Sequence, residues 1–175
     1  MAGCFISAAL LFPSSARAGS GGAGLPDPQP SPPPAPVAGV TAKLSSDGRT
    51  AVAPAAAPEP VREAIDSANE ITRKPYVYGG GHGRFKSRGY DCSGAVSYAL
   101  HGGGLLGDPL DSSDFMQWGE SGKGPWITVY TNPGHAYVVI AGLRFDTSGA
   151  GEKGPRWRVA ARSSRGFTAR HPEGL

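Results

Sequence analysis

The most informative residue in the sequence is a cysteine that has no partner for a disulfide. The chain has two cysteines, Cys4 and Cys92, and Cys4 falls in a segment predicted to be removed on export. A single thiol left in an exported chain indicates an intermolecular disulfide or a reactive group. Cys92 stands between a glycine-rich loop and an apolar helical stretch, and the start of a helix stabilises a thiolate. We therefore expect Cys92 to be a nucleophile rather than an inert buried thiol.

The four histidines of the chain are the candidates for the base that a thiol nucleophile needs. His101 lies nine residues further along the same predicted helix, which places it on the opposite face and about 13 Å away. His82 lies in the glycine-rich loop and His171 in the C-terminal tail, and both remain alternatives. His135 directly precedes an apolar run at residues 136–141, so it begins a strand that would hold a catalytic side chain rigidly. We expect His135 to be the base.

A third residue is expected to orient the histidine ring. Asp146 follows His135 by eleven residues and lies on the predicted return strand of the same hairpin. Its carboxylate would accept the other ring N–H and fix the tautomer. A change of one residue in strand register would exchange Asp146 for Thr147, so Thr147 remains the alternative orienting residue.

The elements that must position these residues are helices in the first half of the domain and strands in the second. Apolar residues recur at spacings of three and four over residues 61–72, and a short buried helix is predicted at residues 95–100. This order of elements predicts an α+β fold with a small antiparallel sheet. Strands are predicted at residues 126–130, 136–141, 144–147 and 157–159.

These motifs together resemble the NlpC-type, papain-like bacterial cell-wall peptidases. The resemblance rests on the segment PYVYGG at residues 75–80, on DCSG at residues 91–94 entering a helix, and on His135 about forty residues later. It covers about residues 61–150. It implies a papain-like α+β fold in which the nucleophile lies at the N-terminus of a helix packed on the sheet.

The resemblance also implies roles for individual catalytic side chains. Cys92 would be the nucleophile, His135 its base, and Asp146 the residue that orients the imidazole. The backbone N–H of Cys92 and the side chain of Tyr76 would stabilise the oxyanion. No cofactor and no metal ion are implied.

The substrate of the family provides further expectations. Asp91 and Ser93 would hold the amino end of a peptidoglycan stem peptide, and Tyr76 would also be a substrate-binding residue. The bond cut would be the one between D-glutamate and the diamino acid. Tyr137 stands where the family has a small residue, which predicts a cleft that is narrower or differently shaped.

Two N-terminal segments are predicted to lie outside the folded domain. Residues 1–18 combine a short apolar run with an Ala-Arg-Ala sequence, which predicts a signal peptide cleaved after Ala18 and a protein that is secreted or associated with the cell wall. Residues 19–60 are rich in Pro, Ala and Gly and contain few branched apolar side chains, which predicts a disordered linker. The papain-like domain is then expected at residues 61–175.

Charge and composition exclude several classes of function. The net charge is +3, from 17 basic and 14 acidic residues without a run of like charges, which argues against nucleic acid as a partner. No apolar run approaches the roughly 18 residues of a membrane-spanning helix. The chain is expected to be a monomer. The basic C-terminal tail, which contains Arg156, Arg162 and Arg170, is interpreted as a solvated edge or as a contact for an anionic wall polymer.

The sequence therefore predicts an exported bacterial cysteine hydrolase that cuts amide bonds of peptidoglycan stem peptides. Two alternatives remain open. One is a non-hydrolytic wall-binding module, which the complete set of thiol, imidazole and carboxylate argues against. The other is an amidase or acyltransferase acting on another wall or lipid amide, which the sequence does not distinguish from a peptidase.

Overall fold

The computed structural model describes residues 41–149, 154–159 and 162–175 of the chain. The predicted signal peptide (1–18) and residues 19–40 of the predicted linker lie outside the described residues. None of the helices in these three ranges is long and apolar enough to cross a membrane. The helices are α1 (Glu59–Glu70), α2 (Cys92–Gly102) and a short 3-10 helix (Asp114–Gln117). The strands are β1 (Lys43–Leu44), β2 (Ala51–Val52), β3 (Glu120–Ser121), β4 (Ile127–Asn132), β5 (His135–Ile140), β6 (Leu143–Asp146), β7 (Arg156–Arg158) and β8 (Thr168–His171).

Helix α1 forms where the apolar spacing predicted a helix. Pro60 stands in its first turn, where the missing N–H has no intrahelical acceptor to lose. The side chains at spacings of three and four are buried, and α1 contacts α2. The buried residues are Val61, Ala64, Ile65 and Ala68.

Strands β1 and β2 form an antiparallel hairpin that packs on the domain. The Asn69 side chain of α1 accepts a hydrogen bond from the Ala51 N–H at 2.8 Å and donates to the Ala51 carbonyl at 2.9 Å. The Ala42 N–H donates to the carbonyl of Ala141 at 2.8 Å. The disordered linker predicted for residues 19–60 is therefore wrong over residues 41–60. The sequence pattern missed this segment because its buried anchors are alanines and a single side-chain amide, not branched apolar residues.

The remaining strands form one antiparallel sheet in the order β3-β8-β4-β5-β6-β7. Strands β4 to β7 correspond to the four predicted strands, with bounds shifted by one or two residues. The C-terminal segment was interpreted as an edge or a polymer contact, but it adds β8 between β3 and β4. Arg170 of β8 donates to the carbonyls of Trp118 and Gly119 at 2.6 Å each. The solvated-edge interpretation is therefore wrong for Arg170.

The two faces of this sheet have different roles. Ala136, Val138 and Ile140 of β5 belong to the hydrophobic core, and β5 contacts α2. Because strand residues alternate between faces, His135 and Tyr137 lie on the opposite face. The predicted α+β fold, with the helix that begins at the cysteine packed on an antiparallel sheet, is confirmed.

Candidate active site

Cys92 is the first residue of α2 and is half-buried. The residue before it, Asp91, caps the helix, because its Oδ1 accepts a hydrogen bond from the Gly94 N–H at 2.9 Å. The first N–H groups of a helix have no intrahelical acceptor, and the Cys92 N–H is one of them. The thiol therefore lies at the positive end of the helix dipole, as the sequence predicted.

The glycine-rich loop before the thiol packs tightly against the start of α2. A Cβ at Gly94 would lie 2.0 Å from the Gly80 carbonyl oxygen, and a Cβ at Gly80 would lie 2.3 Å from the Gly89 carbonyl oxygen. The Gly79 N–H donates to Oδ2 of Asp91 at 3.0 Å. Only glycine permits such close backbone approach, so this loop holds its side chains in fixed positions.

Tyr76 is held beside the thiol by a short parallel bridge to Tyr90. The Tyr90 N–H donates to the Pro75 carbonyl at 3.0 Å, and the Val77 N–H donates to the Tyr90 carbonyl at 3.2 Å. Burial and then the neighbouring negative charge of Cys92 raise the pKa of Tyr76. Its hydroxyl therefore keeps its proton at neutral pH and can donate a hydrogen bond.

His135 is the first residue of β5. Its Nε2 lies 3.0 Å from Oδ1 of Asp146, which leaves Nδ1 for the thiol. The His135 side chain and the Ala136 N–H are the groups that stabilise the thiolate form of Cys92. The structure thus brings together a thiol, an imidazole and a carboxylate, the groups expected as nucleophile, base and orienting residue.

The turn between β5 and β6 decides which residue orients the imidazole. Ala141 and Gly142 form a two-residue turn with φ angles of 46° and 77°, a conformation that suits the twist of a hairpin. The resulting register places Asp146 on the same face as His135. Thr147 falls on the other face by alternation. The structure therefore places Asp146, and not Thr147, on the ring.

The electrostatics of this cluster favour charge on all three groups. Burial opposes ionisation of Cys92, but hydrogen bonds from His135 and the Ala136 N–H outweigh it and lower the pKa of the thiol. Burial also opposes protonation of His135, but hydrogen bonds with Asp146 and Cys92 raise its pKa to about 9. Burial would raise the pKa of Asp146, yet the His135 hydrogen bond and the Ser148 N–H hold it below its usual value. The three shifts together favour the thiolate, the imidazolium and the carboxylate over the neutral forms of these groups.

Two residues beside Asp146 were not found from the sequence. The Ser148 Oγ lies 2.9 Å from Oδ1 of Asp146 and 3.3 Å from Nε2 of His135. Arg162 donates to Oδ2 of Asp146 at 3.1 Å and also to the Ser148 hydroxyl. The position of Ser148 could have been inferred, because extending the pairing of β5 with β6 beyond Asp146 places Ser148 opposite His135. Arg162 comes from a separate segment and gives no local signal.

A cleft of about 400 Å³ opens beside this cluster. Its volume falls within the range that small ligands occupy in proteins, roughly 300–1,000 Å³. Thr147, the alternative orienting residue, lines this cleft instead of contacting the ring. The described lining residues are Tyr76, His135, Thr147, Ser148 and Gly149.

Asp91 and Ser93, the residues expected to bind substrate, are 4% and 2% exposed. Nε2 of His82 lies 3.0 Å from Oδ1 of Asp91 and 3.0 Å from Oγ of Ser93. The His82 side chain is 35% exposed, so it covers this buried pair from the solvent side. The structure therefore places His82 on the expected substrate-binding pair, not on the thiol.

The other two histidines lie elsewhere in the fold. Nδ1 of His101 is 2.9 Å from the Leu106 carbonyl, and its ring stacks on Phe85. His171 pairs with Glu120 at 3.1 Å. In the part of the chain that the structure describes, no group of three or more His, Cys, Asp or Glu side chains is placed to hold a metal ion.

Comparison with known proteins finds similar solved structures. No protein-family model matches the sequence, and no curated protein is similar to it. Rv1477, a hypothetical invasion protein of Mycobacterium tuberculosis, is 20% identical with a TM-score of 0.48, over 65% of each chain. The peptidoglycan hydrolase RipB (Rv1478) from Mycobacterium tuberculosis is 22% identical with a TM-score of 0.48, over 63% of this chain and 64% of that one.

A third similar structure is that of the Resuscitation Promoting Factor Interacting protein RipA. It is 20% identical with a TM-score of 0.48, over 66% of each chain. The chain spans less than two thirds of the length of each of the three solved chains. A likeness at this level does not determine function, so the functional conclusion depends on the chemistry of the cleft.

Proposed function

We propose that this chain is a cysteine hydrolase that cuts amide bonds. The observation that carries the proposal is the thiol of Cys92 at a helix start, with its thiolate stabilised by His135, whose Nε2 binds the buried Asp146. Burying charged groups together is costly, and a binding module gains nothing from a thiolate beside an imidazolium. The arrangement therefore favours turnover over binding alone.

In the first half-reaction the Cys92 thiolate attacks the carbonyl carbon of the amide and forms a C–S bond. The carbonyl oxygen becomes an oxyanion, for which the Cys92 N–H and the Tyr76 hydroxyl are the donors. His135, whose pKa is about 9, gives its proton to the amide nitrogen. The C–N bond then breaks, the amine leaves, and a thioester remains on the enzyme.

In the second half-reaction water replaces the enzyme on the acyl group. His135 takes a proton from the water as its oxygen attacks the thioester carbonyl. The C–S bond breaks, the carboxylic acid product leaves, and the thiolate and imidazolium are restored. Asp146, held by Ser148 and Arg162, keeps the imidazole in one orientation during both proton transfers.

The substrate we assign is the peptidoglycan stem peptide, cut between D-glutamate and the diamino acid. The assignment is supported by the resemblance of the PYVYGG and DCSG segments to those of cell-wall peptidases. An exported protein, as residues 1–18 predict, would meet this substrate in the cell wall.

The amino end of the stem peptide would bind at Asp91 and Ser93 when the His82 ring moves aside. The Asp91 carboxylate accepts a hydrogen bond from His82, and the ammonium group of the substrate would donate to the same carboxylate. Because the ammonium group would replace His82, the buried side chains of Asp91 and Ser93 would have a hydrogen-bond partner both with and without substrate. The ammonium adds a formal positive charge, which strengthens the contact with the carboxylate.

The experiment that tests this function is digestion of purified sacculi by the full chain, with the released fragments identified by mass. We expect fragments that end at D-glutamate, and none from the Cys92→Ala variant. Fragments produced by cleavage at another amide bond would contradict the assigned bond and favour the amidase alternative. Retention of the protein on sacculi without released fragments would contradict hydrolysis and favour the binding module.

A further inference from the structure

A second cavity of about 270 Å³ lies on the sheet face that carries His135 and Asp146. It opens over β4 to β7, away from the helices that cover the other face. Among the described residues that line it, none is an Asp or a Glu. We call it the basic pocket, after its cationic lining residues Lys123, Arg144, Arg158 and Arg162.

Two of these cations are paired directly across neighbouring strands. Arg144 of β6 lies opposite Arg158 of β7 in the sheet register, and like charges in this relation destabilise a sheet. The Arg144 side chain is only 11% exposed, so solvent screens the repulsion weakly. Burial and the adjacent charges of Arg156 and Arg144 lower the pKa of Arg158. An anion between the two guanidinium groups would convert this repulsion into attraction.

Asp146, an acidic residue described beside the basic pocket, is shared among several cations. Asp146 lies 3.1 Å from Arg162 and 3.7 Å from Arg144 through Oδ2. Its Oδ1 is already bound to the His135 ring, which is itself cationic at neutral pH. Among the described residues, this one carboxylate is therefore shared among three cations.

Aromatic rings hold one of the donors of the basic pocket, Arg162, in place. Tyr130 and Tyr137 stack with their ring centroids 5.0 Å apart and form part of the lining. The Arg162 guanidinium lies 5.2 Å from the Tyr137 ring centroid and 5.3 Å from that of Phe167. Such cation–π contacts fix the plane of the guanidinium. Donors that are already ordered lose less entropy when a ligand binds.

We propose that the basic pocket binds a phosphate group. Arginine presents donors in a rigid fork that matches phosphate oxygens. Four cations around one cavity match a dianion with oxygens in several directions, whereas a carboxylate is a monoanion with both oxygens in one plane. The ligand is inorganic phosphate or a phosphomonoester, since both present this group. The site does not depend on the proposed hydrolysis, because none of its cations has a role in the two half-reactions beyond the contacts of Arg162 with Asp146 and Ser148.

The test is calorimetric titration of the full chain with inorganic phosphate, at constant ionic strength so that general screening does not change. The decisive variant is Lys123→Gln, because this side chain is exposed and its loss leaves the core intact. The matched control is Lys86→Gln, an equally exposed lysine in the glycine-rich loop. We expect saturable binding to the wild type and the control, weaker by about three- to tenfold in Lys123→Gln.

Arg158→Gln provides a second variant, with near-ultraviolet circular dichroism to check its fold. We expect phosphate to bind it about tenfold more weakly or worse. If it does not fold, Lys123→Gln alone decides. Titration with glycerol phosphate separates the two sources: tighter binding than inorganic phosphate supports a phosphomonoester, and weaker binding supports the free ion.

Three outcomes would overturn the phosphate site. One is the absence of saturable binding to the folded wild-type chain. Another is equal affinity of Lys123→Gln and Lys86→Gln. The third is tighter binding of acetate than of phosphate, which would make the pocket a carboxylate site.

Discussion

Two clusters of histidine, aspartate and serine flank the thiol of Cys92, and they have different tasks. In both clusters Nε2 of the histidine lies 3.0 Å from a carboxylate oxygen, and a serine hydroxyl is close to the same nitrogen. Only one of the two histidines interacts with the thiol. The two are the strand cluster of His135, Asp146 and Ser148 and the loop cluster of His82, Asp91 and Ser93.

The difference lies in what else each carboxylate binds. Asp146 has no exposed side-chain surface and binds side chains that keep it directed at the imidazole. Asp91 instead accepts hydrogen bonds from the N–H groups of Gly94 and Gly79, so it joins the helix start to the glycine-rich loop. The same residue types therefore hold the imidazole proposed as the base in one cluster and anchor the backbone in the other.

The largest expected effect comes from removing His135, and the matched change is the removal of His82. His135→Ala should lower kcat by about 10²- to 10⁴-fold, the range of general acid–base catalysis. His82→Ala should change KM several-fold and leave kcat within about threefold, because His82 covers the substrate-binding pair and does not reach the thiol. Steady-state kinetics on a soluble stem peptide separate the two. A loss of kcat in His82→Ala as large as that in His135→Ala would contradict the assignment of different roles to the two clusters.

A smaller effect is expected from Asp146→Asn. An amide does not stabilise the imidazolium as a carboxylate does, so the pKa of His135 should fall from about 9. The thiolate–imidazolium pair exists only below that pKa, and the alkaline limb of the kcat profile should therefore move to lower pH. We expect kcat at the plateau to fall by about 10- to 100-fold. An unchanged alkaline limb, together with damage from Thr147→Ala, would assign the orienting role to Thr147.

The matching change in the loop cluster, Asp91→Asn, should act mainly on stability. The amide keeps one acceptor oxygen, so one of the two backbone contacts to Gly94 and Gly79 is lost. We expect a loss of about 1–2 kcal/mol in the free energy of unfolding and a higher KM, with kcat nearly retained. Thermal denaturation measures the first quantity. An unchanged melting temperature would show that Asp91 does not anchor the loop.

The sequence predicted the strand cluster better than the loop cluster. His135 and Asp146 could be placed because an apolar strand and a two-residue turn fix which side chains share a face. Ser148 follows from the same register and could have been included. Arg162 could not, because its contact with Asp146 depends on how a separate segment folds over the sheet.

The loop cluster and the N-terminal hairpin show where sequence patterns provide no information. The position of His82 depends on backbone contacts between glycines, which leave no apolar pattern. The hairpin of β1 and β2 depends on Asn69, a single side chain that satisfies both backbone groups of Ala51. Neither kind of contact produces a hydrophobic periodicity in the sequence.

The pairing of Cys92 with His135 is the central claim, and the rate of alkylation by iodoacetamide tests it most directly. The rate is measured against pH on the folded chain in a Cys4→Ser background, with and without His135→Ala. Because the pKa of Cys92 lies below its usual value, we expect faster labelling than of free cysteine at pH 7 and a marked slowing in His135→Ala. Slow labelling that is indifferent to His135→Ala and accelerates only on unfolding would show a buried structural thiol and contradict the account.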